Sequence, residues 1–271
     1  MAVAADLDAK GSIHYQKEPL GTAHAVSCAE QCLEGPVIVA FADTLFKADF
    51  QISEGIDGMI WVKQIEDPSA FGVVKLNETN EIIDFVEKPL EFVSDLAMIG
   101  IYFFKDGASL KSEINYLLEN NLQKGGEYQL PDALRRLTEK GTTFLPGKVD
   151  AWLDCGNKKV TVETNKHVLN FDYEMGLNLV DKNADVINSV IIQPCFIGAG
   201  AKVIDSVVGP HVSIGKNSIV RSSVLSNCLI QNDTSLAHLN LKDSMIGASV
   251  EIHQKPNDLS VGDFTKIRDA V

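Results

Sequence analysis

The sequence has 271 residues, 45% hydrophobic and 23% charged, which excludes a disordered or fibrous chain and allows one large domain or two smaller ones. Thirty-seven acidic against twenty-four basic residues give a formal charge of −13, a field that repels phosphate backbones and anionic membranes, so nucleic acid is not an expected partner. No stretch nears the roughly twenty apolar residues that span a bilayer, and the start of the chain lacks a signal peptide's basic n-region, so a cytoplasmic, non-membrane protein is expected.

In chain order, Met1–Leu7 reads as the end of a helix leading into a strand over Ile13-His14-Tyr15. Ala25, Cys28, Ala29 and Cys32 at helical spacing predict a helix from Thr22 to Leu33, opened by Gly21 with Thr22 as N-cap. Val37–Phe41 and Met59–Val62 are short apolar runs bounded by Gly, Pro or Asp, as buried parallel strands would be. Phe71–Leu76 and Ile82–Val86 read as a hairpin turning at Asn77–Asn80, and Ile99–Phe104 as a further strand. Helices follow around Ser109–Leu118 and Pro131–Lys140, the second stopped by Gly141, and another runs from after Gly156 to about Asn170. The five cysteines (Cys28, Cys32, Cys155, Cys195, Cys228) are odd in number and form no Cys-x-x-Cys pair, so mostly buried thiols are expected rather than disulfides or zinc.

From about Asn183 the texture changes. Aliphatic residues recur at Ile192, Ile197, Val203, Val208, Ile214, Ile219, Val224, Ile230, Leu236, Leu241 and Ile246, in steps of five or six. That period is neither 3.6 nor 2. Several are followed by glycine (Ile197-Gly198, Val208-Gly209, Ile214-Gly215, Ile246-Gly247), and small residues such as Ala201 and Ser213 are expected in the tight corners. A hexapeptide repeat of this kind builds a triangular parallel β-helix, each side contributing one inward aliphatic side chain to a stacked column. A polar tail begins at Gln254.

Four segments place charge or glycine at the ends of strands, where open α/β sheets bind ligands. Gln16–Ala25 carries Gln16, whose amide both donates and accepts, and Gly21-Thr22, whose backbone can meet a ligand edge. Asp43 follows an apolar strand directly, a position suited to a hard divalent cation. Val86-Glu87-Lys88-Pro89 offers an acceptor for sugar hydroxyls and a point charge for a phosphate. Trp152-Leu153-Asp154-Cys155-Gly156 holds another acid in an apolar context, a second metal carboxylate if the fold brings it beside Asp43.

Together with Phe71-Gly72-Val73-Val74, Gly100-Ile101-Tyr102 and Gly126–Asp132, in this order, these segments resemble the sugar-phosphate nucleotidyltransferase family, which includes glucose-1-phosphate thymidylyltransferases and uridylyltransferases. The resemblance runs through nearly the whole chain. It implies a Rossmann-like (GT-A type) mixed α/β sheet over residues 1–180, a left-handed parallel β-helix over 181–253 and a polar tail over 254–271. The implied reaction joins a nucleoside triphosphate to a sugar 1-phosphate and releases pyrophosphate, with Mg2+ as cofactor. On the same likeness Gln16, Gly21 and Thr22 contact the base, while Gly72, Glu87, Lys88 and Gly100 line the sugar-phosphate pocket. Asp43 and Asp154 hold the metal and, with Lys88, are the catalytic set. The family's loop of form Gly-x-Gly-x-Arg, with a later Pro-Lys, is absent from this sequence, so the resemblance implies an incomplete domain that lacks about two βα units. Two other readings compete: a non-catalytic regulatory or scaffold subunit that oligomerises through the β-helix, and an acyltransferase using His211 as base.

Overall fold

A computed structural model describes residues 7–48, 52 and 55–256 of the chain. It divides into two compact units, Met1–Leu153 and Asp154–Val271.

The first unit holds helices α1 (Thr22–Ser27), α2 (Gly107–Glu119) and α3 (Leu130–Glu139). Its strands are β1 (Val37–Ala40), β2 (Thr44–Lys47), β3 (Gly58–Gln64), β4 (Gly72–Leu76), β5 (Ile82–Glu87), β6 (Leu96–Phe104), β7 (Phe144–Lys148) and β8 (Ala151–Asp154). Six of them form one mixed sheet in the order β1-β6-β3-β7-β5-β4, and β2 pairs with β8. Strand β3 runs parallel to β7 and antiparallel to β6. Period-2 alternation sends Ile60, Val62, Phe85 and Phe144 to one face, under Leu110, Ile114 and Leu117 of α2 and Leu130, Leu134 and Leu137 of α3. The other face packs Trp61, Ile99, Ile101 and Val149 with Met59, Phe103 and Trp152. Buried Glu113 on α2 is neutralised by Arg136 at 2.9 Å and by Lys140, which ties the two helices together.

Several sequence expectations change here. Ile13–Tyr15 forms no strand, because an isolated extended segment has no ladder partner to satisfy its backbone. The predicted helix end at Met1–Leu7 falls largely outside the described residues. The helix predicted to Leu33 ends at Ser27, whose hydroxyl bonds back to the His24 carbonyl at 2.8 Å and competes with the helical ladder, leaving a 3-10 turn at Glu30–Cys32. Gly21 is its N-cap and Thr22 its first helical residue. Strand β1 lies at the sheet edge, antiparallel to β6, with Ile38 51% exposed, so it is neither fully buried nor hydrogen-bonded to a parallel neighbour. Sequence reading also missed β2 and β7; Pro146-Gly147 inside β7 gives a breaker signal that tertiary pairing with β3 overrides. The hairpin, β6, both later helices and the helix after Gly156 form as expected. Among the described residues no helix is long and apolar enough to cross a membrane.

Among the described residues the second unit is a parallel β-helix of eleven short strands, from Asp185–Ile187 to Glu251–His253, with helix α4 (Lys158–Glu174) packed on it. Asn157 caps α4 by accepting from the Lys159 and Val160 amides. Ladder partners step by seventeen residues from Asp185 to Lys202 to Ile219, then by sixteen to Ser235 and Glu251. A coil is therefore one or two residues short of three full hexapeptides. The stacked interior contains Ile197, Val203, Val208, Ile214, Ile230 and Leu236 as expected, but Ile192, Ile219 and Val224 point outward and their neighbours Ile191, Val220 and Leu225 point in. A strict six-residue count drifts out of phase on these shorter sides, and where two aliphatics are adjacent the sequence does not say which is inside.

The corners also differ from expectation. Left-handed backbone is adopted by Asn188, Asp205, Ser222 and His238 in one column, by His211, Asn227 and Asp243 in another, and by Asn217, Asp233 and Ser249 in the third. Asn and Asp tolerate this region best among residues with a Cβ. They also stack, with Asn188 donating to Asp205 at 2.6 Å, Asn217 to Asp233 at 3.1 Å and Asn227 to Asp243 at 2.7 Å. Ala201 is instead a buried interior residue, and Ser213 lies mid-strand, donating to Asn165 of α4 at 2.6 Å. Cys195 and Cys228 are buried thiols, Cys28 and Cys155 are half-buried, and Cys32 is exposed.

Candidate functional site

Gly72 opens β4 directly across the ladder from Glu87, the last residue of β5. A Cβ on Gly72 would lie 2.6 Å from a Glu87 carboxylate oxygen and would run into Met98, so only glycine lets that carboxylate fold over the backbone. Lys88 turns the chain in left-handed conformation (φ 42°), its amide bonded to the Phe71 carbonyl at 3.2 Å and its side chain in solvent. A carboxylate, an ammonium and a side-chain-free backbone thus meet at one corner.

Burial raises the Glu87 carboxyl above its ordinary value; Lys88 opposes the shift, and Asp132 and Glu127 add to it. Tyr102, fully buried on β6, has its phenol raised by burial and secondarily by Glu87. Glu127, on the segment leading into α3, and Asp132, in its first turn, therefore sit within electrostatic reach of Glu87. Asp132 is held by Lys124 at 2.6 Å and Arg135 at 3.0 Å, and Arg135 also bonds Asp84 at 3.0 Å and the Phe85 carbonyl.

The same segment is zipped to the Gln16–Ala25 stretch. The Tyr128 amide donates to the Leu20 carbonyl at 2.8 Å, the Ala23 amide to the Tyr128 carbonyl at 2.9 Å, and the Leu130 amide to the Thr22 hydroxyl at 2.9 Å. Gly21 (φ 103°) makes this possible, since a Cβ there would lie 2.5 Å from the Tyr128 carbonyl oxygen. Gln16 is exposed, donating to the Gly21 carbonyl at 3.1 Å and pairing with His24 Nδ1 at 2.9 Å. Gly21 and Thr22 thus reach the Gly72–Glu87–Lys88 corner through residues 127–132, a link that no sequence spacing announced.

Gly100 (φ 82°) accepts from the Phe41 amide at 2.9 Å, and a Cβ on it would press the Phe41 ring at 2.9 Å. It thereby seats the chain that leads to Asp43, which is exposed in the turn after β1. Asp154 begins the second unit and is described there by itself: half-buried, with one carboxylate oxygen accepting from the Gly156 amide at 2.8 Å and its carbonyl accepting from Thr164 at 2.8 Å. Among the described residues there is no cluster of three or more His, Cys, Asp or Glu side chains that could hold a metal unaided.

Trp152 is the functional candidate that sequence reasoning passed over. Its ring meets Phe71 edge-on at 4.8 Å, next to Gly72, and its indole N–H is buried with no hydrogen-bond partner among the described residues. An orphaned buried donor calls for an acceptor. The only sequence signal was an aromatic residue two places before Asp154. By contrast, His211 on the β-helix is engaged with Asn170 of α4 at 3.0 Å, and burial lowers its pKa.

The raised Glu87 carboxyl has a consequence for stability. A carboxyl whose folded pKa lies above its unfolded value costs stability as pH rises through the folded value. Glu87→Gln is expected to shift the urea midpoint upward at about pH 7 and to leave it unchanged below the ordinary value of 4.5, because the buried charge is absent in both proteins there. Equal midpoint shifts at both pH values would contradict the burial argument.

The nucleotidyl transferase family model matches residues 4–170. A glucose-1-phosphate thymidylyltransferase of Streptomyces antibioticus is 29% identical over 285 residues, covering 93% of this chain and 77% of that protein. A bifunctional protein GlmU of Methanococcus vannielii is 27% identical, covering 86% of this chain, which spans 60% of that longer protein. A Bacillus anthracis crystal structure, assigned to glucose-1-phosphate thymidylyltransferase and holding a sucrose, shares the fold at a TM-score of 0.50 and 22% identity, over 60% of this chain and 66% of that one.

Proposed function

The chain belongs to the sugar-phosphate nucleotidyltransferase family, and from that premise we propose that it joins a nucleoside triphosphate to a sugar 1-phosphate, giving a nucleotide sugar and pyrophosphate in the cytoplasm. The observation that carries this reading is the Gly72–Glu87–Lys88 corner, where bare backbone admits a close ligand, a carboxylate can accept from sugar hydroxyls and an exposed lysine can meet a phosphate. Gly100 is assigned to the same pocket on the family likeness. Gln16 and the backbone of Gly21 and Thr22 are assigned to the base, the Thr22 hydroxyl being already engaged by Leu130.

In the transfer, a phosphate oxygen of the sugar 1-phosphate attacks the α-phosphorus in line. The new P–O bond forms as the bond to the pyrophosphate oxygen breaks, and pyrophosphate leaves with that electron pair. The attacking oxygen is already anionic, so the protein's work is to position two mutually repelling anions and offset their charge. Lys88 supplies a cation for this. Nucleotidyltransferases of this family generally use a divalent metal. Asp43 and Asp154 offer hard carboxylate oxygens of the kind Mg2+ accepts, one or two of them beside substrate phosphates. Held there with the triphosphate, the ion would neutralise charge on the phosphates.

The test is to incubate the chain with each nucleoside triphosphate, glucose 1-phosphate and Mg2+, and to measure pyrophosphate and nucleotide sugar. The regulatory reading is the competing one. It holds instead if the chain binds a nucleotide sugar but releases no pyrophosphate even when a segment bearing the Gly-x-Gly-x-Arg loop is supplied in trans. Trp152→Phe, which keeps a ring against Phe71 and removes the donor, is expected to raise KM for the sugar phosphate by about five- to twentyfold with kcat little changed, the loss of one hydrogen bond. An unchanged KM would show that the indole N–H meets no substrate.

A further inference from the structure

Strand β5 ends at Glu87 and is supported unequally on its two sides. Along β4 it is paired from Gly72 opposite Glu87 to Leu76 opposite Ile82, whereas toward β7 its register among the described residues is the single pair Ile82 and Phe144. Past that pair, Arg135 of α3 reaches the strand. Its Nε donates to the Asp84 carboxylate at 3.0 Å, one terminal nitrogen donates to the Phe85 carbonyl, and the other donates to Asp132 at 3.0 Å. All three guanidinium nitrogens are engaged, two with the strand and one with the first turn of α3, in a planar fork that lysine cannot reproduce.

The helix that carries Arg135 is itself tied to the Gly21 turn at its entry. The Leu130 amide donates to the Thr22 hydroxyl at 2.9 Å, and the Tyr128 carbonyl accepts from the Ala23 amide at 2.9 Å. Lys124 holds Asp132 from a second direction at 2.6 Å. Asp84, Asp132, Lys124 and Arg135 carry two charges of each sign, so exchanging one cation for another there leaves the local charge balance unchanged. A continuous strut therefore runs from Thr22 through Leu130 and Asp132 to Arg135, and ends on β5 two residues before Glu87.

We propose that Arg135 is a positioning residue, setting the separation between the base-contacting turn at Gly21-Thr22 and the sugar-contacting corner at Glu87 while touching neither part of the ligand. The inference rests on the assignment of base and sugar to those two half-sites. A ligand that occupies both gains from its own linkage only where their spacing matches its length. For the reaction the demand is stricter, since a misplacement of about 1 Å costs about a hundredfold in rate. Lysine at position 135 keeps the charge and a long stem but offers one point of donation in place of the fork. The register between α3 and β5 is then lost, while each half-site keeps its own residues.

The experiment is isothermal titration calorimetry on the full chain and on Arg135→Lys, with circular dichroism melts as the fold control. UDP-glucose and dTDP-glucose serve as ligands that span both half-sites; UMP, dTMP and glucose 1-phosphate each occupy one. Arg135→Lys is expected to weaken the better-bound nucleotide sugar by about tenfold and the separate ligands by less than about twofold. A merely structural role would weaken both kinds alike, and that result overturns the proposal, as does an unchanged affinity for the nucleotide sugar. A parent chain that binds neither nucleotide sugar overturns the base and sugar assignment itself, and the proposal with it, so the two failures are told apart. Should Arg135→Lys lower the melt, Asp84→Ala leaves Arg135 in place and removes the strand carboxylate it grips. That variant is expected to show the same selective loss at about threefold, and affinities equal to the parent's overturn the proposal.

Discussion

Asp43→Asn and Asp154→Asn are each expected to slow pyrophosphate release by about a hundred- to a thousandfold, the range seen when one preorganised electrostatic partner of a transition state is removed. The amide is nearly isosteric, so the change removes charge without creating a cavity. Neither substitution should alter the melting temperature appreciably. Asp43 is exposed, and the Asn carbonyl at position 154 can still accept from the Gly156 amide that the carboxylate accepts from at 2.8 Å. The two effects should combine to less than their product if both groups hold one ion, because losing either already loosens it. Titrating Mg2+ against each variant distinguishes metal holding from direct contact: a rate restored by excess Mg2+ marks a ligand. Variants with rates within about threefold of the parent would remove these two residues from the catalytic set.

Gly209→Ala is expected to be the most damaging single methyl addition in the β-helix. Gly209 has φ 114°, and a Cβ there would land on the Ile192 carbonyl and lie 2.7 Å from the buried Cys195 sulfur. Backbone strain of about 1–3 kcal/mol and overpacking of about 1–3 kcal/mol act at one site, against a total stability of about 5–15 kcal/mol for a typical domain. Gly247→Ala is the matched control. It is also a glycine following an aliphatic residue, yet its φ is not positive and the nearest atom to a Cβ is Val250 Cγ2 at 3.9 Å. Its expected effect is within about 0.5 kcal/mol, as for surface changes that meet no special feature. Urea denaturation followed by circular dichroism reads both. Similar midpoints for the two variants would sink the steric argument.

The contrast between these glycines shows how far the sequence carries. Ile-Gly and Val-Gly pairs announced a repeat, but not which glycine has a neighbour pressed against it. That is decided by the coil below, seventeen residues away for Val207 and Val190. The same holds for Ile219-Val220 and Val224-Leu225. Both members of each pair are apolar, and only the sixteen- or seventeen-residue coil sets which one is buried and which joins an exposed face. In the first unit the hairpin was legible because Asn77 nucleates its own turn, donating to Glu81 at 2.8 Å and accepting from the Thr79 and Glu81 amides. Strand β7 was not legible, because Pro146 and Gly147 are tolerated only through pairing with β3, more than eighty residues earlier.

For the candidate site the division follows the same physics. The sequence by itself determined the chemical inventory: Gln16, Asp43, Glu87, Lys88 and Asp154 as polar groups at element ends, Gly21 as backbone open to a ligand edge, and, through the family resemblance, Gly72 and Gly100 as pocket residues. Local rules suffice for that, since caps, turns and short alternating runs act over a few residues. Only the tertiary structure decided that residues 127–132 bridge the Gly21 turn to the Glu87 corner, that Glu87 is buried enough to raise its carboxyl, and that the Trp152 indole N–H has no partner among the described residues. Each of these is a contact or a desolvation between segments far apart in the chain. No spacing records such events, because they come into being only when the sheet and its covering helices exclude water together.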